Sequence, residues 1–303
     1  MDIEEFVKDK KLFRQIGWFL GNVTIGRILI SRVIAIKFYF QKKISSRDLY
    51  RNVLPDKFFK GNDYKKVIQL IEANLLKKID FTLFGKKIHY HLVNKIILLK
   101  DLYNIIILDQ YHVRDFIKTD SIVIDAGSNF GIFACLAATI AKEGNVYAFE
   151  PVGETFGYLQ KNTSHYTNIN SFKLAIGEKD KNSEMFFNPD HLYDSSLKNS
   201  AFCTSQQESY CNHQAVKVIT IDSFISSSHL EKFDFLKIDT ESYEKEILRG
   251  AKKSIKKFKP TIAVSAYHQK NDKKDIVDLV LSIDSTYKYF LSRRGEDDLI
   301  FYH

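Results

Sequence analysis

The chain has 303 residues, of which 45% are hydrophobic and 14% are aromatic, and this composition excludes a disordered protein. Its formal net charge is +8, and residues 1–60 carry most of the excess, with 13 Lys or Arg against 6 Asp or Glu. Such an excess favours an anionic partner, either an acidic substrate or a membrane surface, unless it only solvates helix faces.

The N-terminus and the cysteines favour a cytoplasmic protein. The first residues, Met1-Asp-Ile-Glu-Glu5, are acidic and make a poor signal peptide. Three cysteines without a C-x-x-C pair are typical of a reducing compartment. Residues 12–40 are apolar but contain four Arg or Lys, so we expect amphipathic helices rather than a membrane span. Peripheral membrane contact through residues 1–60 stays open, and no motif suggests a nucleic-acid partner.

The first hundred residues have a predicted secondary structure that differs from that of the rest of the chain. Residues 1–78 have a helical pattern, and residues 81–92 are typical of a hairpin that turns at Gly85. His89 and His91 share one strand face, which is either solvated or metal-binding. We therefore predict a mostly helical region with a β-hairpin over residues 1–100, followed by an α/β domain over residues 101–303.

From residue 122 onward, predicted strands and helices alternate. This order indicates a mainly parallel sheet with helices on both faces. A long polar segment at 178–215 interrupts it and is a candidate lid over a substrate or cofactor. Strands are predicted at 122–125, 146–150, 171–176, 216–221, 233–239, 261–266, 287–292 and 298–302. Helices are predicted at 131–142, 153–163, 241–257 and 272–283.

The segment Val123-Ile-Asp-Ala-Gly-Ser-Asn-Phe-Gly131 is typical of a nucleotide-binding strand, loop and helix. It lacks the Lys and Ser/Thr of a phosphate-binding Walker loop and the third glycine of a dinucleotide loop. The next strand ends at Glu150, whose carboxylate can accept hydrogen bonds from both hydroxyls of a ribose. The pattern therefore predicts an adenosine ligand without pyrophosphate, namely S-adenosylmethionine (SAM). An ordinary βαβ crossover is the alternative.

Four polar residues fall at the carboxyl ends of predicted strands, where ligands of such sheets bind: Asp125, Glu150, Asp239 and His268. Asp125 is expected to order the loop or to meet the methionine ammonium. In methyl transfer to a hydroxyl, a base removes the proton as the oxygen attacks. His268 suits that role because its ordinary pKa is about 6.5. Asp239 is the alternative base, or it orients the acceptor.

Other functions for these residues stay open. Asp239, Glu241 and His268 offer oxygen and nitrogen ligands, so a divalent metal could bind there and lower the pKa of a bound hydroxyl. The two acids could equally cap the helix that follows them. A zinc site at Cys203, Cys211 and His213 lacks a fourth ligand. The pair Gln110-Tyr111 either covers the cofactor or only packs.

Taken together, residues 104–302 resemble the FkbM family of SAM-dependent methyltransferases. The resemblance rests on the segment 123–131 and on four further motifs in the same order: Ala148-Phe-Glu-Pro151, Ala175-Ile-Gly177, Ile219-Thr-Ile-Asp222 and Leu236-Lys-Ile-Asp-Thr-Glu-Ser-Tyr-Glu244. It implies a class I methyltransferase-like, Rossmann-like fold with a seven-stranded sheet, and O-methylation of sugars or natural-product hydroxyls. One departure is Ser242, which stands where the family usually has glycine.

The residues and the resemblance together predict two sets of site residues. The cofactor-binding set is Asp125, Gly127, Ser128, Asn129, Gly131, Glu150, Pro151 and Ala175. The catalytic set is Asp239, Glu241 and His268. We expect an anionic small-molecule or saccharide acceptor, of which a nucleotide-linked sugar is one example. Two alternatives compete: methylation of a nitrogen, peptide or lipid, and an inactive module that binds a membrane or glycan.

Overall fold

A computed structural model describes residues 78–83, 86–91, 102–188, 191–197, 212–294 and 296–303 of the chain. The chain divides into two units, residues 1–100 and residues 101–303. In the first unit, β1 (Lys78–Leu83) and β2 (Lys86–His91) form the predicted antiparallel hairpin. The predicted helices of residues 1–77, the turn at Gly85, the side chains of His89 and His91, and both Cys203 and Cys211 lie outside what is described.

The second unit alternates strands with helices. Its helices are a π-helical turn (Leu102–Ile107), α1 (Val113–Phe116), α2 (Ile132–Ile140), α3 (Gly153–Thr163), α4 (Ile221–Ser227), α5 (Glu244–Gly250), α6 (Lys252–Phe258) and α7 (Asp272–Ile283). Its strands are β3 (Ile122–Ala126), β4 (Asn145–Phe149), β5 (Ile169–Phe172), β6 (Ala175–Ile176), β7 (Lys181–Asn188), β8 (His191–Ser196), β9 (Asn212–Ile219), β10 (Phe235–Ile238), β11 (Thr261–Ser265), β12 (Lys288–Ser292) and β13 (Asp298–Tyr302).

The main sheet has seven strands in the order β12-β13-β11-β10-β3-β4-β5. The five strands from β11 to β5 run parallel, whereas β13 is antiparallel to both β11 and β12. The order reverses beside β3, so the carboxyl ends of β3 and β10 flank the crevice where such sheets bind ligands. The predicted class I methyltransferase-like, mainly parallel seven-stranded sheet is therefore confirmed.

Helices cover this sheet on both faces. On one face, Ile124, Leu236 and Ile262 belong to a core that includes residues of α4, α5, α6 and α7. On the other face, Phe235 of β10 stacks on Phe133 of α2, with ring centroids 6.0 Å apart. Alternate residues of a strand point to opposite faces, and every residue of β10 is buried. This double cover explains the nearly continuous apolar runs of the central strands.

A smaller four-stranded sheet, ordered β6-β9-β7-β8, lies where the sequence predicted parts of two strands, 171–176 and 216–221, and a polar lid between them. The strand expected at 171–176 is divided, because β5 pairs with β4 whereas β6 pairs with β9. Much of the expected lid is instead strand: β7 pairs with β9 from Lys181 to Phe187, and Met185 of β7 is buried. Met185 is the one buried apolar residue among positions 181–186 of this polar strand, so its periodic signal was weak.

The single helix expected at 241–257 is also divided, into α5 and α6, and the break falls at Ala251. The chain reaches α5 through Glu241 and Ser242, whose φ angles are 51° and 79°. These left-handed residues delay the helix to Glu244. Among the described helices, none is long and apolar enough to cross a bilayer.

Candidate active site

The loop after β3 turns through three left-handed residues, Gly127, Asn129 and Gly131, with φ of 79°, 49° and 87°. The amides of Gly127 and Ser128 donate to the carbonyl of the last residue of β4, at 3.1 and 2.9 Å. A Cβ on Gly127 would lie 2.0 Å from the Asp239 carbonyl oxygen. The missing side chain therefore lets the loop touch the end of β10, and both predicted site regions meet in direct backbone contact.

Beneath the loop lies a buried ion pair that joins β3 to β10. Asp125 and Lys237 are direct neighbours in the parallel pairing, and the Lys237 Nζ lies 3.2 Å from Asp125 Oδ1. Nζ also donates to the Gly127 carbonyl at 2.6 Å. Asp125 is fully buried, and its carboxylate forms no well-aligned hydrogen bond among the described residues. This geometry favours ordering of the loop over direct contact of Asp125 with a ligand.

Burial and charge act in opposite directions on this pair. Burial raises the pKa of Asp125, against the lowering effect of the Lys237 ammonium. Burial would lower the pKa of Lys237, but the negative charges of Asp125 and Asp239 raise it above its ordinary value. Lys237 thus stays a cation between two acids of the site.

Glu150 follows β4 and is almost completely buried. Its Oε2 accepts the Asn129 amide at 3.1 Å and its Oε1 accepts the Val152 amide at 2.9 Å. Burial raises the pKa of the carboxyl to about 7, although these two amides lower it. A carboxylate oxygen can accept more than one hydrogen bond, so one amide on each leaves capacity for further donors.

The remaining predicted cofactor residues flank this acid. The Pro151 carbonyl accepts a hydrogen bond at 2.6 Å from Gln214 Nε2 of β9, and Gln214 Oε1 accepts the Gly153 amide at 3.3 Å. Ala175 lies in a second apolar core together with Val152. The smaller sheet therefore holds the segment after Glu150 in place, and Ala175 contributes to packing there. Its contact with a cofactor stays a prediction.

Three predicted catalytic residues come together at the carboxyl edge of β10 and β11. His268 Nε2 lies 3.4 Å from Glu241 Oε2 and 3.8 Å from Asp239 Oδ1. One ligand atom from each residue falls within 4.8 Å of the others, so the trio could hold a metal ion. The side chain of Asp239 is 25% exposed, whereas that of His268 is 7% exposed. Asp239 therefore has the more accessible side chain of the two.

The surroundings of His268 differ from those assumed for an ordinary imidazole. Burial would lower its pKa, but the carboxylates of Glu241, Glu244 and Asp239 raise it to about 11. Glu244 Oε1 lies 3.1 Å from His268 Nδ1 and also accepts the amides of Thr240 and Ser242 at 3.1 and 3.2 Å. A protonated ring cannot accept a proton, so this pKa favours Asp239 over His268 as the base, and the choice between them stays a prediction.

Sequence reasoning did not assign Lys237 or Glu244 to this site, and it named Tyr111 only as a cofactor cover or a packing residue. Tyr111 is 1% exposed, and its hydroxyl donates to Asp239 Oδ2 at 2.8 Å. A signal existed for Lys237, since a lysine inside a buried apolar strand needs a partner. The position of Glu244 at the start of a predicted helix indicated only a helix-capping acid. No signal linked Tyr111 to Asp239, because 128 residues separate them.

Two curated proteins that this chain resembles are methyltransferases. Hexuronic acid methyltransferase AglP of Haloferax volcanii is 26% identical over 183 residues, which cover 60% of this chain and 71% of that protein. Methyltransferase 1 of Beauveria bassiana is 25% identical over 154 residues, which cover 46% of this chain and 61% of that protein. The chain thus spans less than two thirds of the second relative.

Among solved structures, methyltransferase FkbM of Methylobacillus flagellatus KT matches with 23% identity and a TM-score of 0.46, over 61% of this chain and 44% of that one. The family model of the methyltransferase FkbM domain matches residues 125–291, which is more than half of the chain. The match includes the loop after β3, Glu150 and the cluster at Asp239. The chain belongs to the FkbM family of methyltransferases.

Proposed function

We propose that this protein transfers a methyl group from SAM to a hydroxyl of a saccharide acceptor, with Asp239 as the base. One observation carries the proposal: the glycine loop after β3 touches the backbone of Asp239, since a Cβ on Gly127 would lie 2.0 Å from the Asp239 carbonyl. Methyl transfer needs the donor and the base within one pocket and in line. A cofactor on the loop and an acceptor at Asp239 meet that requirement.

The residues around the loop fit SAM. Asn129 Oδ1 is buried and has no hydrogen-bond partner among the described residues, and the ammonium of a methionine group would satisfy it. Glu150 has capacity for the two ribose hydroxyls. When bound, SAM supplies an electrophilic sulfonium methyl group. Lys237 holds the Gly127 carbonyl and so fixes the loop against which the cofactor would lie.

Asp239 is the base in this proposal because its carboxylate is the more accessible of the two candidates. The acceptor hydroxyl gives its proton to Asp239 while its oxygen forms a bond to the methyl carbon and the carbon–sulfur bond breaks. Glu241 and the His268 imidazolium lie beside Asp239 and provide hydrogen-bonding groups at the acceptor edge. Such polar groups suit a hydroxyl-rich ligand better than an apolar one.

A divalent cation is a second element of the proposal, and the trio Asp239, Glu241 and His268 supports it. A bound cation would lower the pKa of a hydroxyl coordinated to it. It would also replace the proton that His268 otherwise holds. If the cation takes part, EDTA abolishes turnover and Mg²⁺ or Mn²⁺ restores it. Full activity after EDTA treatment and dialysis limits the trio to proton transfer and acceptor binding.

The acceptor class rests on chemistry and on one relative. AglP methylates a hexuronic acid by its name, and the basic residues 1–60 favour an acidic acceptor. We therefore infer an anionic saccharide, such as a uronic acid or a nucleotide-linked sugar, and an action in the cytoplasm. A peripheral membrane contact through residues 1–60 would bring lipid-linked saccharides within reach.

The test is acceptor profiling with methyl-labelled SAM. The protein is offered five acceptor classes in parallel: uronic acids, neutral hexosides, nucleotide-linked sugars, a peptide library and lipid extracts. The products are identified by mass spectrometry. We expect label on a saccharide oxygen, and turnover should fall by about 100-fold or more in Asp239→Asn while SAM affinity changes little. Label on nitrogen or on a peptide contradicts the proposal. Failure to bind SAM favours an inactive binding module.

A further inference from the structure

Tyr111 lies outside the segment that matches the family, yet its hydroxyl reaches the proposed base. It precedes residue 125, where the family match begins. Its hydroxyl donates to Asp239 Oδ2 at 2.8 Å, whereas Asp239 Oδ1 is the oxygen nearest to His268, at 3.8 Å from Nε2. The two oxygens of one carboxylate therefore have different neighbours, and only Oδ1 lies toward the acceptor edge.

The turn that carries Tyr111 is strained on both sides. Asp109 and His112 both have φ of 55°, and the His112 amide donates to the Asp109 carbonyl at 2.9 Å, which closes a tight turn around Gln110 and Tyr111. Left-handed backbone is unfavourable in a residue with a side chain. Two such residues in one short turn persist only where surrounding contacts hold them.

Side-chain contacts hold this turn. Asp109 Oδ1 accepts the Val113 amide at 2.9 Å. His112 links Asp115 and Ser292, at 2.7 and 3.1 Å. The hydroxyl of Ser292, at the end of β12, lies 3.0 Å from the Gln110 carbonyl and donates to it. The turn is thus fastened at both ends and to the main sheet.

The ring of Tyr111 is fixed as well. It packs edge-on against Phe133 of α2, with centroids 5.5 Å apart, and the Lys237 Nζ lies 5.6 Å from its centroid. A buried tyrosine with a fixed ring has one direction for its hydroxyl oxygen. Burial and the adjacent Asp239 raise the pKa of Tyr111 well above its ordinary value, so the hydroxyl keeps the proton that it donates.

We propose that Tyr111 is a positioning residue for methyl transfer: it holds Asp239 by Oδ2 so that Oδ1 faces the acceptor hydroxyl. This inference rests on the proposed role of Asp239 as the base. A base must stand within hydrogen-bond reach of the proton that it removes, and a misplacement of about 1 Å costs rate rather than binding. Tyr111 would therefore act on kcat and leave the cofactor site unchanged.

The test compares Tyr111→Phe with Tyr287→Phe. Tyr287 is a matched control, since it is 4% exposed and its hydroxyl donates to the Pro260 carbonyl at 2.8 Å, away from Asp239. We expect kcat of Tyr111→Phe to fall about 10- to 100-fold, with acceptor KM and SAM affinity within about two-fold of wild type. Tyr287→Phe should keep the wild-type kcat.

Crystal structures of both variants give a readout that is independent of activity. We expect the Asp239 carboxylate to rotate in Tyr111→Phe and to keep its place in Tyr287→Phe. An unmoved carboxylate overturns the inference, and so does a rise in KM at unchanged kcat. If the wild-type protein methylates no hydroxyl, the proposed function fails, while the position of the carboxylate still decides what Tyr111 does.

Discussion

At the scale of single residues, Glu150 shows how burial gives a carboxyl a pKa within the working range of an enzyme. Its pKa is raised to about 7 by burial, so the acid is protonated below that pH in the ligand-free protein. Only the carboxylate can accept hydrogen bonds from both ribose hydroxyls with full strength. SAM binding at Glu150 should therefore release a proton at acidic pH.

We predict that SAM affinity falls as the pH drops below about 7, by up to about tenfold per pH unit. Titration calorimetry between pH 5.5 and 8 measures this slope. Glu150→Gln should bind SAM more weakly and show a flat profile in the same range. Glu143→Gln, at an exposed glutamate, serves as the control and should keep the wild-type slope. An equal slope in both variants would assign the titration to another group.

The ion pair of Asp125 and Lys237 makes a second prediction about residues. Both side chains are buried, so removal of one partner leaves the other without compensation. Lys237→Met should lower the free energy of unfolding by about 3–5 kcal/mol. The double variant Asp125→Asn/Lys237→Met should lose less than Lys237→Met alone. Urea unfolding checks this cycle, and strictly additive losses would mean that the two side chains do not interact.

Which of these residues a sequence can reveal follows from their positions. Asp125, Glu150, Asp239 and His268 were predictable because parallel strands end at one edge, so strand ends alone bring them together. The neighbouring residues that set the charge and the pKa of these groups could not be predicted. Lys237 is recognisable only as a charged residue in an otherwise apolar strand. The raised pKa of His268 depends on the side-chain positions of Glu241 and Glu244, which sequence spacing does not specify.

At the scale of elements, sequence periodicity identified the parts of the main sheet but missed β7 and β8 of the smaller one. Helices α3 and α7 begin and end as predicted, since apolar residues mark one face of each. The strands β7 and β9 carry few buried residues, and β6 is only two residues long. Such strands form because neighbouring strands are available, a condition that lies outside local sequence.

The late start of α5, at Glu244, has a cause that the sequence did indicate. Ser242 stands where the resemblance to the family implies glycine, and its φ of 79° lies in the region that favours glycine. We predict that Ser242→Gly stabilises the protein by about 0.5–1 kcal/mol, which is the relief of left-handed strain less the entropy that a glycine loses on folding. Thermal unfolding should register a rise of roughly 1–4 °C.

A second serine provides the control. Ser228 is the C-cap residue that follows α4, and its φ is −87°, where a glycine relieves no strain. Ser228→Gly should therefore be neutral or slightly destabilising. If Ser242→Gly unfolds at a lower temperature than wild type, the contacts of the serine side chain outweigh the backbone strain at that position.

At the scale of the whole molecule, the second unit brings together groups from both of its sheets at one edge. Gln214 of the smaller sheet bonds to the segment after Glu150, while Lys237 of the main sheet bonds to the loop after β3. A ligand that lies between Glu150 and this loop would touch groups held by both sheets. Its binding should then stabilise the unit as a whole, because a ligand that binds only the folded state shifts the unfolding equilibrium.

We predict that SAM at about 100 times its dissociation constant stabilises the folded protein by about 2.7 kcal/mol. For a unit of this size the unfolding temperature should rise by roughly 5–10 °C, measured by differential scanning calorimetry. S-adenosylhomocysteine should act similarly, since it keeps the adenosine and the amino-acid group. ATP is the discriminating control: it shares the adenosine, but the loop after β3 has no phosphate-binding lysine, so ATP should give little shift. Equal shifts with ATP and SAM would mean that the loop recognises the adenosine and not the methionine group. If none of the three ligands shifts the unfolding temperature, the glycine loop has no ligand among them, and the basis for methyl transfer at Asp239 is removed.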